Sequence, residues 1–437
     1  MLKYLKQIWN SKTLRKKILF TLFAIIIYRL AAHVSIPNIN LENVKEMFNS
    51  NQLLGVYNLL TGGSAYRFSI IMMGLAPYIN ASIIMQLLTV VVPKLEALSK
   101  EGEHGKKMIN KYTRYLTIPI AIMQSYGMIL ILNSSSDPTK RIIENAGELT
   151  VLIPIMLTVT AGTLFLVWLG ELMTEKGIGN GVSLLITASI LSGIPTSIGG
   201  ALSIAGGTND TKMLYAYVGI IIITILLTIF IILITEAQRQ IPITYAGQGI
   251  KARSENSSLP IKINQAGMIP IIFAVSVLSF PQLLSRIISS ENKFISDILS
   301  YFSSSFNSGS VAYLITYLLL VLGFTYFYVS ITFNPKQVAE NIQKKGGFIP
   351  GIRPGKQTAE FLQSVSSKLT LFGGLFLGFV AVFPLLIQFI FKNQLNLGGD
   401  IPLLISGAGM IIIVGVVLEL FRQINAQLIM HDYDKLY

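Results

Sequence analysis

The sequence predicts an all-α polytopic membrane protein, with ten transmembrane helices in two inverted five-helix halves. Three observations carry this. Ten runs are apolar over roughly the 20 residues a helix needs to cross a hydrocarbon core: 18–36, 70–92, 115–133, 150–173, 182–204, 213–235, 268–289, 311–333, 370–391 and 403–421, together 217 of 437 residues. Only four of the 55 charged residues fall inside them, and of these Glu171, Arg286 and Glu419 lie within a turn of a run's end, leaving Arg29 alone at depth. Five runs per half is an odd number, so the halves run in opposite senses across the membrane. Period-two alternation is absent from these runs, which argues against an outer-membrane barrel. Charged residues make up 13% of the chain, about half the share usual in soluble domains, which argues against a soluble enzyme.

Taken in order, residues 1–17 form a basic N-terminal tail. The run 18–36 reads as a retained first span, because no small-residue cleavage site follows before Pro37. The stretch Tyr57–Ser69, YNLLTGGSAYRFS, is too polar and glycine-broken to span. The run 70–92 is disturbed by Gly74-Leu-Ala-Pro77, and 268–289 by Gly267-Met-Ile-Pro270 at a similar point of the other half. Corresponding interruptions of this kind point to a central pathway. The N-terminal half is 18–204 and the C-terminal half 205–421, with cytoplasmic loops at 236–267 and 334–369 and a tail at 422–437. In 334–369, Gly346, Gly347, Gly351 and Gly355 are expected to break regular structure.

Lys and Arg set the orientation. With both termini inside, cytoplasmic segments carry 25 Lys and Arg against 7 outside, so the positive-inside rule places both termini in the cytoplasm. The net charge of +13 resolves to +15 inside and −2 outside, with the spans cancelling. A basic face of this kind suits RNA, acidic lipid or an acidic protein surface. The loop 334–369 is longer than orientation requires, and long loops with Gly and Pro punctuation usually serve a partner or ligand.

Motifs for catalysis and cofactor binding fail one by one. There is no cysteine, and the three histidines, His33, His104 and His431, are far apart, so neither a metal centre nor a cofactor is expected. Gly351-Ile-Arg-Pro-Gly355-Lys356 lacks the first glycine and the Ser or Thr of a phosphate loop. Gly177-Ile-Gly-Asn-Gly181 follows a span, not a strand, and lacks the third glycine of a dinucleotide fingerprint. All six Asp lie in loops, and no GxSxG elbow occurs. The alternative function is an ion-coupled secondary transporter of a small solute. It is weakened because no carboxylate lies at depth, and Arg29 reads better as a structural contact to a neighbouring carbonyl.

Five long stretches carry a family resemblance. FSIIMMGLAPYINASIIMQLLTVVVP at 68–93, GEHGKKMINKYTRYLT at 102–117, WLGELMTEKGIGNGVS at 168–183, LPIKINQAGMIPIIFA at 259–274 and FNPKQVAENIQKKGGFIPGIRPGKQTAEFL at 333–362 resemble the SecY family of bacterial protein-conducting channels. The resemblance runs the length of the chain in order. It implies the pore subunit of a plasma-membrane translocon, which passes unfolded secretory proteins and releases membrane helices sideways through a lateral gate.

That resemblance also assigns roles. A hydrophobic pore ring falls on Leu75, Ile79, Val182, Ile186, Ile272 and Ile412. The first two pairs stand at i,i+4 spacing, on one helix face. Branched apolar side chains can dewet a constriction and offer a passing polypeptide no hydrogen bonds. A plug falls on about 57–69, with Leu60, Thr61, Gly62, Gly63 and Phe68. A lateral-gate polar cluster falls on Asn80, Gln124 and Asn264. Arg353 matches a contact to the SecA motor ATPase, and Arg239, Lys251 and Arg253 match a ribosome and SecA contact. Residues 239–240 are Arg-Gln, however, where an Arg pair often stands. The implied partners are SecE-like and SecG-like membrane subunits, SecA, the translating ribosome, signal sequences with unfolded preproteins, and the lipid bilayer.

Overall fold

The structure, a computed structural model, describes residues 7–37, 39–50, 61–133, 142–143, 148–207, 211–245, 258–287, 310–394 and 406–434. Each of the ten apolar runs overlaps a helix in its described residues. In chain order the helices are α1 Lys12–Ala31, α2 Leu41–Ser50, α3 Ala76–Val91, α4 Pro93–Lys100, α5 Glu103–Leu132, α6 Leu149–Lys176, α7 Gly181–Gly207, α8 Thr211–Glu236, α9 Ile269–Ile287, α10 Val311–Thr332, α11 Pro335–Lys344, α12 Lys356–Gln394 and α13 Gly407–Asp434. Among the described residues, six helices are long and apolar enough to cross a membrane outright, and the bent pair α3–α4 makes a seventh. The other three runs fall on α1, α7 and α9. Helix α1 opens on Lys12, Arg15, Lys16 and Lys17, while α7 and α9 are apolar helices of 27 and 19 residues.

The run 70–92 is only partly helical. Residues 61–75 form consecutive turns, and α3 begins at Ala76 with Pro77 in its first turn. Hydropathy cannot separate an apolar turn from an apolar helix, so the predicted span started too early. Proline suits a helix start, where its missing N–H has no intrahelical partner anyway. The same punctuation recurs at α9, where Pro270 is the second residue. Gly74 and Gly267, three residues ahead of the two prolines, both take positive φ, +55° and +66°. The matched Gly-x-x-Pro motifs therefore mark two helix starts rather than two kinks. At the far end of α3, Val92 is extended before Pro93 and the chain turns by 101° into α4.

The chain forms two compact units, 1–215 with 276–310 and 401–437, and 216–275 with 311–400. In the first, α5 packs on α3 and α6, α6 on α7, α7 on α13, and α1 on both α6 and α7. A cluster including Val44, Phe48, Phe68, Met72, Ile129, Leu132 and Val159 fills the space around α2, the turn segment and the α5–α6 ends. Arg114 of α5 and Glu171 of α6 pair at the exposed end of those helices, a contact worth little in stability. The Gly177–Gly181 run is a tight turn: a Cβ on Gly181 would meet the Gly170 carbonyl at 2.0 Å, and Ile178 N–H donates to Thr21 Oγ1 at 3.2 Å.

In the second unit α12 packs on α10 and α11. Two small antiparallel sheets sit beside them, β1 (Gln238–Pro242) with β3 (Ser258–Lys262) and β2 (Thr244–Tyr245) with β4 (Gly347–Phe348). The loop 334–369 is therefore more ordered than its glycines predicted. Asn334 caps α11 by accepting from Gln337 N–H, and α12 begins 14 residues before the predicted span. Gly346, Gly351 and Gly355, at φ +71°, +80° and +97°, mark the corners between elements instead of dissolving them. Ile241, Ile243, Ile261, Ile342, Ile349, Leu362 and Val365 supply a shared apolar core.

Candidate functional site

The turn segment 61–75 is apolar enough to sit among helices, yet its backbone must find partners away from water. Within the first unit it does so. At its base, Ile36 N–H donates to Phe68 O and Ile70 N–H to Val34 O, both at 3.0 Å, and Ser69 Oγ donates to Ala31 O at 2.8 Å. Helix α6 comes so close at Gly162 that a Cβ there would lie 2.0 Å from Ile70 O. Phe68 is fully buried in the left-handed region at φ +46°, a conformation that costs a bulky residue of order 1–3 kcal/mol unless its surroundings enforce it.

The tip of the segment is held by side chains. Gly62 O accepts from Arg29 Nη1 at 3.0 Å and lies 3.2 Å from Ser192 Oγ. Thr61 O accepts from Ser64 Oγ at 2.9 Å and lies 3.4 Å from the Tyr28 hydroxyl. Tyr28 OH and Ser189 Oγ are 2.6 Å apart, and Ser189 donates onward to Leu185 O. Arg29 is thus engaged with a backbone carbonyl, as its place in an apolar span predicted. Gly62 has no room for a side chain, since a Cβ would meet Ser189 Cα and O at 2.9 Å. Leu60 lies outside the described residues.

Five of the six ring positions belong to the first unit. Leu75 sits at the N-cap of α3, and Ile79 N–H donates to its carbonyl at 3.0 Å. Leu75 and Ile412 are buried, whereas Ile79, Val182 and Ile186 keep partial exposure. Val182 Cγ2 also lies near the Cα of Gly170 on α6, where an added Cβ would be 3.1 Å away. Ile272, in the second unit, is half-buried.

A tightly seated, non-helical segment among membrane helices is what a channel stopper requires, and sequence comparison is decisive about the family. The SecY family profile matches residues 69–421. The chain belongs to the SecY family. It is 39% identical to the protein translocase subunit SecY of Aquifex aeolicus over 99% of both chains. Two solved structures share its fold: a protein-conducting channel, with TM-score 0.65 and 17% identity over 95% of this chain and 93% of that one, and Sec61 in the canine ribosome–channel complex from the endoplasmic reticulum, with TM-score 0.60 and 17% identity over the same shares.

The remaining residues singled out from the sequence fall on distinct surfaces. Asn80 is half-buried on α3 and Gln124 half-buried on α5, two helices in contact, and Gln124 Oε1 is buried without a hydrogen-bond partner among the described residues. Asn264 is buried in the second unit, where its Oδ1 accepts from Gly267 N–H at 2.9 Å. That turn gives the residue a local structural task. Arg239 is exposed on β1 opposite Ile261, and Arg353 is exposed between Gly351 and Gly355, its carbonyl accepting from Thr358 Oγ1 at 3.0 Å. Lys251 and Arg253 lie outside the described residues. Sequence reasoning missed Tyr28, Gly162, Ser189 and Ser192. The i,i+3 spacing of two serines on an otherwise apolar helix was the available signal for the last pair.

Proposed function

We infer that the chain is the pore-forming subunit of a protein translocase, a passive conduit for unfolded polypeptides with a lateral exit for membrane helices. The observation that carries this is the stopper: residues 61–75, within a SecY-family chain, are anchored at the base by backbone bonds and at the tip by Arg29. Energy then comes from a motor ATPase, from synthesis by the ribosome or from the membrane potential, and the chain itself performs no catalysis.

The finer assignments rest on the same reading. Leu75, Ile79, Val182, Ile186, Ile272 and Ile412 form the constriction above a plug at 57–69. Asn80, Gln124 and Asn264 belong to the gate between the halves 18–204 and 205–421. The exposed Arg353 meets SecA, and the exposed Arg239 meets the ribosome and SecA together with Lys251 and Arg253 of the same loop. A ribosome partner is supported by the Sec61 neighbour, which was solved in a ribosome–channel complex. The 25-to-7 distribution of Lys and Arg supports cytoplasmic termini in a bacterial plasma membrane, and SecE-like and SecG-like subunits complete the channel.

The test is reconstitution. Proteoliposomes holding the chain and its co-purifying subunits, given SecA, ATP and a radiolabelled preprotein, are expected to protect that preprotein from external protease. No protection, together with solute uptake down an ion gradient without preprotein, would replace the channel with the carrier.

A further inference from the structure

We propose that Arg29, backed by Ser192, is a latch on the stopper's tip, and therefore a specificity-determining residue for which signal sequences open the channel. This rests on the reading of 57–69 as the plug.

The bonds around the segment divide into two groups. Those of the base, at Phe68, Ser69 and Ile70, tie it to Ala31 at the end of α1 and to Val34 and Ile36 just beyond it. Those of the tip reach two different helices. Arg29 of α1 donates to Gly62 O, and Ser192 of α7 shares its single proton between Gly62 O at 3.2 Å and Ser189 O at 2.7 Å. Tyr28 joins α1 to α7 directly through Ser189. The tip can hold only while α1 and α7 keep this spacing.

Helix α7 also carries Val182 and Ile186, the ring positions one to three turns before these serines. A polypeptide that displaces α7 in order to pass the ring would pull the latch apart as it does so. The latch grips backbone carbonyls, so it senses where the tip lies and not which side chains it bears. A hydrogen bond from a charged donor is among the stronger ones, and in a water-poor site its loss shifts a two-state balance by on the order of tenfold or more. A bland alternative exists: Arg29 satisfies a carbonyl in the folded chain and has no part in opening.

The absence of native cysteine makes the test clean. Ala65, fully buried in the segment, is changed to Cys in the full chain, reconstituted with the subunits that co-purify. A membrane-impermeant maleimide then reports how often the tip is released. Export of a precursor with a defective signal is measured in parallel against the same precursor with an intact one. Relative to the Ala65→Cys chain, Arg29→Met is expected to raise the labelling rate about tenfold, Ser192→Ala about twofold, and Arg29→Lys less than Arg29→Met because it keeps a charged donor. Defective-signal export should rise in the same order. Labelling of Arg29→Met at the parent rate, or Arg29→Lys as fast as Arg29→Met, overturns the latch. If Arg29→Met does not accumulate, Ser192→Ala decides, and its labelling at the parent rate overturns the proposal. A parent chain that exports no precursor at all overturns the channel reading instead.

Discussion

Adjacent glycines at the tip of the proposed stopper offer a controlled experiment. Gly62 and Gly63 have similar backbone conformations, φ +66° and +82°, so alanine at either pays a left-handed cost of about 1–2 kcal/mol. They differ in space. No atom of the described residues lies within 4 Å of a Cβ built on Gly63, whereas one on Gly62 would sit 2.7 Å from Ser192 Oγ and 2.9 Å from Ser189 Cα and O. The Ser192 hydroxyl can rotate away, but the Ser189 backbone is fixed within α7. The tip must therefore retreat by about half an ångström or more to reach ordinary contact, and overpacking of this kind costs about 1–3 kcal/mol. Gly62→Ala should thus weaken seating by about 2 kcal/mol more than Gly63→Ala, a difference of roughly 30-fold in the released population. In chains carrying a single cysteine at position 65, maleimide labelling rates read that ratio directly. Equal rates for the two alanine variants would refute the close approach of α7 to the tip.

Other outcomes follow from the remaining surfaces. Arg353→Glu should abolish motor-driven export, reducing preprotein protection at least tenfold while the chain still inserts, because the side chain is exposed and its glycine corners stay intact; protein level by blot and protease protection check both halves. Serine at Ile79, Ile186 and Ile272 together should raise resting ion conductance in planar bilayers severalfold, since a hydroxyl-lined constriction wets more readily. Gln124→Met removes a buried oxygen that has no hydrogen-bond partner among the described residues, so thermal unfolding in detergent should shift upward by the equivalent of about 1 kcal/mol. An unchanged or lower unfolding temperature would refute the reading of that oxygen as unpaired.

How much of this was readable in the chain alone depended on whether each feature writes itself into side-chain chemistry. The helices were legible because about 20 apolar residues leave a membrane chain little else to form. The start of α3 was not, since Ile70–Leu75 is equally apolar whether turned or helical, although Gly74 and Pro77 were the clue. The loop 334–369 was misjudged for the opposite reason. Its glycines were visible, but the Asn334 cap and the apolar residues Ile342, Ile349, Leu362 and Val365 that knit it to β1 and β3 are separated by long sequence distances. Arg29 announced itself by charge, yet its acceptor is a carbonyl, and every residue has one. Tyr28, Ser189 and Ser192 read as ordinary polar residues of membrane helices until the fold sets them around Thr61 and Gly62.

The same cluster bears on the choice between pore and carrier. An ion-coupled carrier needs a group at depth that can bind and release a charge within each cycle, and such groups face a cavity or one another. Arg29 is the charge the sequence places deepest, and its guanidinium is directed at a carbonyl of a seated loop. A carboxylate, the usual proton or sodium ligand, is missing from every apolar run except near the ends, at Glu171 and Glu419. Glu171 is itself committed to Arg114. Charge at membrane depth is therefore limited to Arg29, which holds the tip of the 61–75 segment, while the other charged residues of the apolar runs lie near their ends. That distribution suits cargo whose sequence varies from one molecule to the next: a wall without fixed charges binds no client strongly, and selectivity passes to whatever can dislodge the stopper.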